Sequence, residues 1–413
     1  MAHSDLHHVV VVGASLAGLR ACETLRTDGF AGRVTLIGAE PHLPYDRPPL
    51  SKKVLAGDWD PDRIVLRQPG DLDALGLDIR LGVPAAALDL DGRALTLADG
   101  AVVPFDGLII ATGSETRRLP GQGDVSIVHE LRTLDDSLAL RERIADGTAR
   151  VVVIGAGFIG LEVAATARAR GCSVTVLEGA PAPLIRGLGA AMGAAATAVH
   201  AETGVDIRCD VGVAELLADG VRLADGSVVP ADVIVVGIGV APATAWLDGS
   251  GLTLRDGIVC DATLAAGPEA VYAAGDVARW PNDLFGDEMR VEHWTNAAEQ
   301  GAASARNLLA TAGGGTATAY APVPFFWSDQ ARHRIQFLGR SATDEDGDLV
   351  EVVVGRPEEH RFLALYGRRG RLWGALGVNA PRLVMPYAKL LEGRASWDDA
   401  LVAAAAQRAA QQS

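Results

Sequence analysis

The chain has 413 residues, 49% of them hydrophobic and 5% aromatic, with 48 glycines and a formal net charge of −15. That length suits two or three domains, no apolar run approaches the ~18–20 residues that span a bilayer, and the acidity speaks against nucleic acid or anionic lipid as partners. The leading MAHSDLHH lacks the basic, apolar, small-residue order of a secretory signal, so a cytoplasmic protein is expected. The four cysteines, Cys22, Cys172, Cys209 and Cys260, lie far apart with no CxxC, which argues against a disulfide scaffold, a zinc ribbon or a local dithiol; no metal site is expected.

In chain order, the β-branched run from His8 enters Gly13-Ala14-Ser15-Leu16-Ala17-Gly18, then a helix-like segment, then a strand over Arg33 to Ile37 ending near Glu40. The pattern returns at Arg150, with Gly155-Ala156-Gly157-Phe158-Ile159-Gly160, a helix, and a strand ending at Glu178. Each is a βαβ unit with a tight glycine turn, where backbone N–H groups meet a pyrophosphate at a positive helix end. The acid closing the second strand, Glu40 or Glu178, then accepts from ribose hydroxyls. A lone turn of this kind would read as packing; two, each followed by an acid at the right distance, read as two nucleotide sites. Glu178 repels a 2′-phosphate and no cation follows it in Gly179-Ala180-Pro181, which favours NADH over NADPH.

A second repeat links Ala98–Gly113 (ADGAVVPFDGLIIATG) with Ala224–Gly239 (ADGSVVPADVIVVGIG), identical at 8 of 16 positions. In each, the DG pair predicts a hairpin turn and a buried strand follows, ending at a glycine. A duplicated nucleotide-binding fold is expected, the second copy inserted in the first, because a strand and helix over Ala270 to Leu309 still have to be placed. After Gly313-Gly314-Gly315, five short strand-like runs (PFFWSDQ, RIQFLGR, LVEVVVG, RFLALYG, RLWGALGV) and a helical tail over Pro386 to Gln412 predict an α+β domain. From Ala321 to Ser413 there are 12 basic and 11 acidic residues, so the near-neutral end follows a body of net −16. The expected fold class is α/β: a discontinuous first nucleotide domain (1–115 and 243–320), a second (116–242), and a C-terminal α+β domain (321–413).

Further motifs follow in order: Tyr45-Asp46-Arg47-Pro48-Pro49-Leu50-Ser51-Lys52, Ala111-Thr112-Gly113, Val271-Tyr272-Ala273-Ala274-Gly275-Asp276, Val291-Glu292-His293-Trp294 and Phe326-Trp327-Ser328-Asp329-Gln330. With the two glycine turns, this series resembles the FAD-dependent NADH:ferredoxin reductases of bacterial oxygenase systems, the biphenyl-dioxygenase and putidaredoxin reductase type. The resemblance covers essentially the whole chain. It implies two Rossmann-like FAD/NAD(P)-binding domains in a glutathione-reductase-like frame, with tightly held FAD and exchanging NADH.

Residue by residue, the resemblance implies that Gly13, Ser15, Leu16, Ala17, Gly18 and Glu40 hold the ADP half of FAD. Arg47 and Lys52 lie at the flavin, Val83 near the adenine, Ala111, Thr112 and Gly113 along the cofactor, and Arg132 at its diphosphate or flavin side. Asp276 binds the ribityl chain and Trp294 meets the pyrimidine end of the isoalloxazine; Gly275, Glu292, His293 and Trp327 also contact FAD, with Thr295 as the helix cap. Gly155, Gly157, Phe158, Ile159, Gly160, Glu178 and Gly239 hold NADH, and Glu162 stands beside Lys52. Lys52 and Glu162 are the catalytic pair. For several of these a plainer role also fits: a surface lysine, a helix-start acid, and a core aromatic at Trp294 or Trp327; Arg332-His333-Arg334 reads equally as a docking patch for an acidic partner or a solvated strand end.

Disulfide reductases of related frame use a cysteine pair, and related oxidases a single cysteine after the first βαβ unit. Pro41 to Lys52 has none, and Cys22 and Cys172 are expected to pack on the helices after the turns. Electrons therefore leave for an external acceptor, expected to be a [2Fe–2S] ferredoxin feeding a cytochrome P450 or a Rieske-type ring-hydroxylating dioxygenase. A rubredoxin or nitrite-system reductase, and a redox-sensing interaction protein like the apoptosis-inducing-factor relatives, are the alternatives. A monomer or homodimer fits equally.

Overall fold

The structure, a computed structural model, describes residues 6–341 and 348–412. The first five residues of the leader read above lie outside that range. The chain divides into two compact units: Met1–Asp46, Ile64–Glu115 and Ala241–Pro324 form one, and Arg47–Arg63, Thr116–Val240 and Phe325–Ser413 the other. The α/β class is as expected, and each unit is built on a five-stranded parallel sheet.

In the first unit the strand order is Val271–Ala273, Gly107–Ile110, His8–Val12, Arg33–Ile37, Asp78–Arg80. Val9 to Val12 pair on both sides and are at most 2% exposed, as a β-branched run does when both sheet faces are covered. A three-stranded antiparallel meander over Ala85–Asp89, Ala94–Leu97 and Val102–Pro104 carries the first DG turn. The helix Trp294–Ala312 lies against Leu16–Thr27, and a Cβ on Gly301 would stand 2.2 Å from Ala17 O, so only glycine permits that approach.

The second unit repeats the plan. Its sheet runs Asp206–Arg208, Ser173–Leu177, Arg150–Ile154, Val233–Val236, Val128–His129, and its meander (Val213–Leu217, Gly220–Leu223, Val228–Pro230) carries the second DG turn. The five C-terminal runs form one antiparallel sheet in the order Phe325–Gln330, His333–Gly339, Arg371–Val378, Arg361–Arg368, Asp348–Arg356. That sheet shares an apolar core with the second nucleotide sheet: Ile335, Phe337, Phe362 and Tyr366 pack with Val151, Val153 and Leu161. Burial at roughly 25 cal/mol per Å² of apolar surface makes this seam a major source of cohesion within the unit.

The expected tail helix is interrupted. Tyr387–Glu392 ends at Gly393, and Trp397–Gln412 begins anew. Ser396 explains the restart: its Oγ accepts from Asp399 N at 3.1 Å and donates to Asp399 Oδ2 at 2.7 Å, a cap that starts the second helix. Among the described residues no helix is long and apolar enough to cross a membrane.

Candidate active site

In the first unit, Gly13 turns the chain at φ +115°, and a Cβ there would lie 2.1 Å from Ala111 O. The glycine therefore holds the Ala111-Thr112-Gly113 turn against the start of the helix, where Ser15 is the N-cap residue. Gly18 closes the same turn, since a Cβ on it would strike Gly13 O at 1.9 Å. Gly275 stands over Ala17, and its N–H donates to Gln300 Oε1 at 2.8 Å. Asp276 Oδ2 accepts from Ser114 Oγ at 2.7 Å. Gln300 is fully buried, and its Nε2 has no partner among the described residues. An orphaned donor near a helix N-terminus suits an anionic ligand.

Glu40 accepts from the Tyr45 hydroxyl at 2.5 Å, and its carbonyl accepts from Gly82 N at 2.9 Å, which brings Val83 alongside. Trp294 Nε1 donates to Asp46 Oδ1 at 2.7 Å, and Glu292 sits 2.7 Å from Arg290. The cap of the Trp294–Ala312 helix is His293, not Thr295. The backbone is extended at His293 and already helical at Trp294, so Thr295 falls inside the first turn. Burial lowers the His293 imidazole to about 4.

In the second unit the space at each glycine differs. A Cβ on Gly155 (φ +104°) would lie 2.4 Å from Gly237 O and one on Gly160 2.2 Å from Gly155 O, whereas one on Gly157 would meet nothing within 4 Å. The outer two glycines thus serve the fold, and the middle one leaves a bare backbone open to a ligand at the head of the Phe158–Ala169 helix. Ile159 is 48% exposed there, an apolar side chain offered to solvent. Glu178 accepts from Ala156 N at 2.6 Å and Ala180 N at 2.8 Å, placing its carboxylate against the turn. Gly239 O accepts from Arg117 N at 2.9 Å, and the Arg186 guanidinium lies beside the same glycine. Both glycine turns suit a dinucleotide.

Lys52 Nζ lies 2.6 Å from Glu162 Oε2. Glu162, on the helix after the second turn, is 3% exposed. Ser51 Oγ donates to Glu162 Oε2 at 2.5 Å and Ser328 Oγ to Glu162 Oε1 at 2.6 Å. A buried carboxylate demands such donors; stripping one partner from a buried ion pair costs on the order of 3–5 kcal/mol. Arg47 Nη1 donates to Arg132 O at 2.5 Å, which ties those two residues together in the same unit. Trp327 lies on the first C-terminal strand, one residue before Ser328.

Ser51 and Ser328 bond Glu162, Gln330 bonds Ser328 and His200 bonds Gln330, and the sequence assigns none of the four a role. Ser51, Ser328 and Gln330 stand inside motifs quoted above; His200 carries no sequence signal. Cys172 is not on a helix as expected. It follows the end of Phe158–Ala169, in the turn before Ser173–Leu177, where it is still fully buried. Burial pushes the Cys22 and Cys260 thiols up to about 12 and raises Cys172 and Cys209 as well. All four cysteines are free.

Two dinucleotide turns on duplicated parallel sheets, with a carboxylate–ammonium pair beside the second, define a pyridine-nucleotide oxidoreductase frame. The family model described as pyridine nucleotide-disulphide oxidoreductase matches residues 7–301, and a reductase C-terminal model matches residues 325–410. The chain is 38% identical to rhodocoxin reductase of Rhodococcus erythropolis over 93% of its own length and 89% of that protein. It is also 38% identical to the ferredoxin–NAD(+) reductase component of the anthranilate 1,2-dioxygenase system of Burkholderia cepacia, over 94% and 95%. Among solved structures, the reductase in the covalent putidaredoxin reductase–putidaredoxin complex matches with a TM-score of 0.88 at 31% identity, covering 98% of this chain and 99% of that one. The chain belongs to the pyridine nucleotide-disulphide oxidoreductase family and carries the reductase C-terminal domain; the family implies binding of FAD and NAD(H).

Proposed function

We propose that this protein is an FAD-dependent NADH:ferredoxin oxidoreductase that supplies a cytochrome P450 or a ring-hydroxylating dioxygenase through a [2Fe–2S] ferredoxin. One observation carries the reading: two dinucleotide turns share a chain whose four cysteines are all free, with Cys22, Cys172 and Cys260 buried and Cys209 half-buried. A thiolate, not a thiol, relays electrons, so the outlet is an external carrier. The relatives' names, which attach ferredoxin reduction to proteins of matching length, support the same outlet.

FAD, when bound, accepts two electrons as a hydride from NADH and releases them singly. The chain's residues bind and orient. Gly13, Ser15, Leu16, Ala17, Gly18 and Glu40 would hold the ADP half of FAD, with Val83 at the adenine, Ala111 to Gly113, Arg132, Gly275 and Asp276 along its length, and Glu292 and His293 with the ring residues Arg47, Lys52, Trp294 and Trp327. The N–H groups opening the Trp294–Ala312 helix offer positive potential to negative charge. Gly155, Gly157, Phe158, Ile159, Gly160, Glu178 and Gly239 would hold NADH. Lys52, with one N–H spent on Glu162 and one on Ser51 at 3.2 Å, keeps a third donor for the flavin. FAD stays bound through turnover while NADH exchanges, and Glu178 turns away the 2′-phosphate of NADPH.

Anaerobic titration tests this. The purified protein carries about one FAD, and NADH bleaches it at least about tenfold faster than NADPH does. A protein that cannot be loaded with FAD, or that prefers NADPH, contradicts the reading.

A further inference from the structure

The polar contacts around Glu162 have a direction. Phe158 O only accepts, and Gln330 Nε2 lies 3.3 Å from it and 2.9 Å from Ser328 Oγ. The Gln330 amide is therefore oriented with its nitrogen toward both, and Oε1 toward His200 Nε2 at 2.7 Å. That ring nitrogen must carry the proton. Burial lowers the His200 pKa, and the nearby His333 lowers it further against the pull of Gln330, so the ring is neutral at pH 7 and its one proton sits on Nε2. Ser328 Oγ, accepting from Gln330, has its single proton left for Glu162 Oε1. From the other side, Lys52 donates to Ser51 Oγ, and Ser51 donates to Glu162 Oε2. From His200 on one side and Lys52 on the other the donors thus run toward the carboxylate, the remaining Gln330 N–H going to Phe158 O.

We propose that Ser328, Gln330 and His200 are positioning residues: their polarised chain locks Glu162 in one orientation and so sets where the Lys52 ammonium stands. Ser328 and Gln330 are nearly dry, at 2% and 0% exposure, and His200 is at 0%, so no solvent competes for these bonds. Gln330 also reaches the first residue of the helix after the second glycine turn. One C-terminal strand thereby restrains both the carboxylate and the nucleotide turn, which gives the C-terminal region a part in the chemistry.

The inference rests on the proposed placing of Lys52 at FAD, and the test separates the two. The FAD-loaded wild type, Ser328→Ala, Ser328→Thr, Lys52→Met and the Ser328→Ala/Lys52→Met double variant are compared by two readouts. These are the midpoint potential of bound FAD, taken by dithionite titration, and the rate of FAD reduction by NADH. Ser328→Ala should slow reduction about fivefold or more and shift the potential in the direction that Lys52→Met does. Ser328→Thr should restore both, and Ser328→Ala should add nothing once Lys52 is gone. An effect of Ser328→Ala that is absent, or equal in both backgrounds, overturns the proposal. Gln330→Met, which keeps the volume and deletes both donors, is judged by the same outcomes if Ser328→Ala does not fold. Wild-type protein that binds FAD but is not reduced by NADH defeats the proposed function instead, and the dithionite potentials still decide this inference.

Discussion

At the scale of single residues, the two turns show how one residue type serves two ends. Gly155 is a fold position, because its φ of +104° and the carbonyl of Gly237 leave no room for a side chain, whereas Gly157 borders open space. Gly155→Ala is expected to destabilise the protein by about 2 kcal/mol or more, through strain at positive φ and a backbone clash. Gly157→Ala is expected to leave urea stability within about 0.5 kcal/mol of wild type while weakening NADH binding. Equal loss of stability in the two variants would contradict the division. The spacing of such turns is legible in a sequence because backbone geometry dictates it. The partners of Glu162 are not. Ser328 reaches it across 166 positions of chain, Gln330 acts on it only through Ser328, and nothing local to His200 announces a buried imidazole.

Elements were legible where one local rule decides them. Strands buried on both faces declare themselves as valine runs, and both DG hairpins form where the repeat places them. The C-terminal tail over Pro386 to Gln412 is helical as its alanine-rich end predicts, but the break before Trp397 and the Ser396–Asp399 cap carry no comparably strong local signal. The start of the Trp294–Ala312 helix also moved, from Thr295 to His293, since a threonine is a common cap and a buried histidine is not. That histidine makes the helix pH-sensitive. With a folded value of about 4 against 6.5 unfolded, His293 is neutral in both states above pH 6.5. Between pH 6.5 and 4 the unfolded chain takes the proton and the folded chain does not, so stability falls as the pH falls, by about 3 kcal/mol at the end of that window. His293→Gln is expected to flatten this part of the stability curve, read by urea unfolding at pH 7 and at pH 4.5. An unchanged slope would mean that the buried imidazole is not responsible.

For the whole molecule, the grouping of chain segments was the least legible feature. Arg47–Arg63 follows the first βαβ unit in sequence, yet it belongs to the second unit, where Ser51 and Lys52 bond Glu162 and Thr166 Oγ1 donates to Ser51 O at 2.7 Å. The C-terminal sheet belongs there too, through the apolar seam at Phe337 and Phe362. Long-range packing of this kind leaves no periodicity to read. The absence of a local cysteine pair, by contrast, is plain in the sequence, and burial of Cys22, Cys172 and Cys260 gives it a physical basis. A flavin with no thiol to pass electrons to must meet its acceptor as a separate molecule.

The most direct measurement takes the FAD-loaded protein after exhaustive alkylation of accessible thiols, reduces it with NADH, and mixes it with a panel of [2Fe–2S] ferredoxins in a stopped-flow instrument. The account predicts that at least one cluster is reduced faster than oxygen is consumed, at a rate within about twofold of the untreated protein. Reduction of no cluster, or loss of cluster reduction on alkylation, would contradict it.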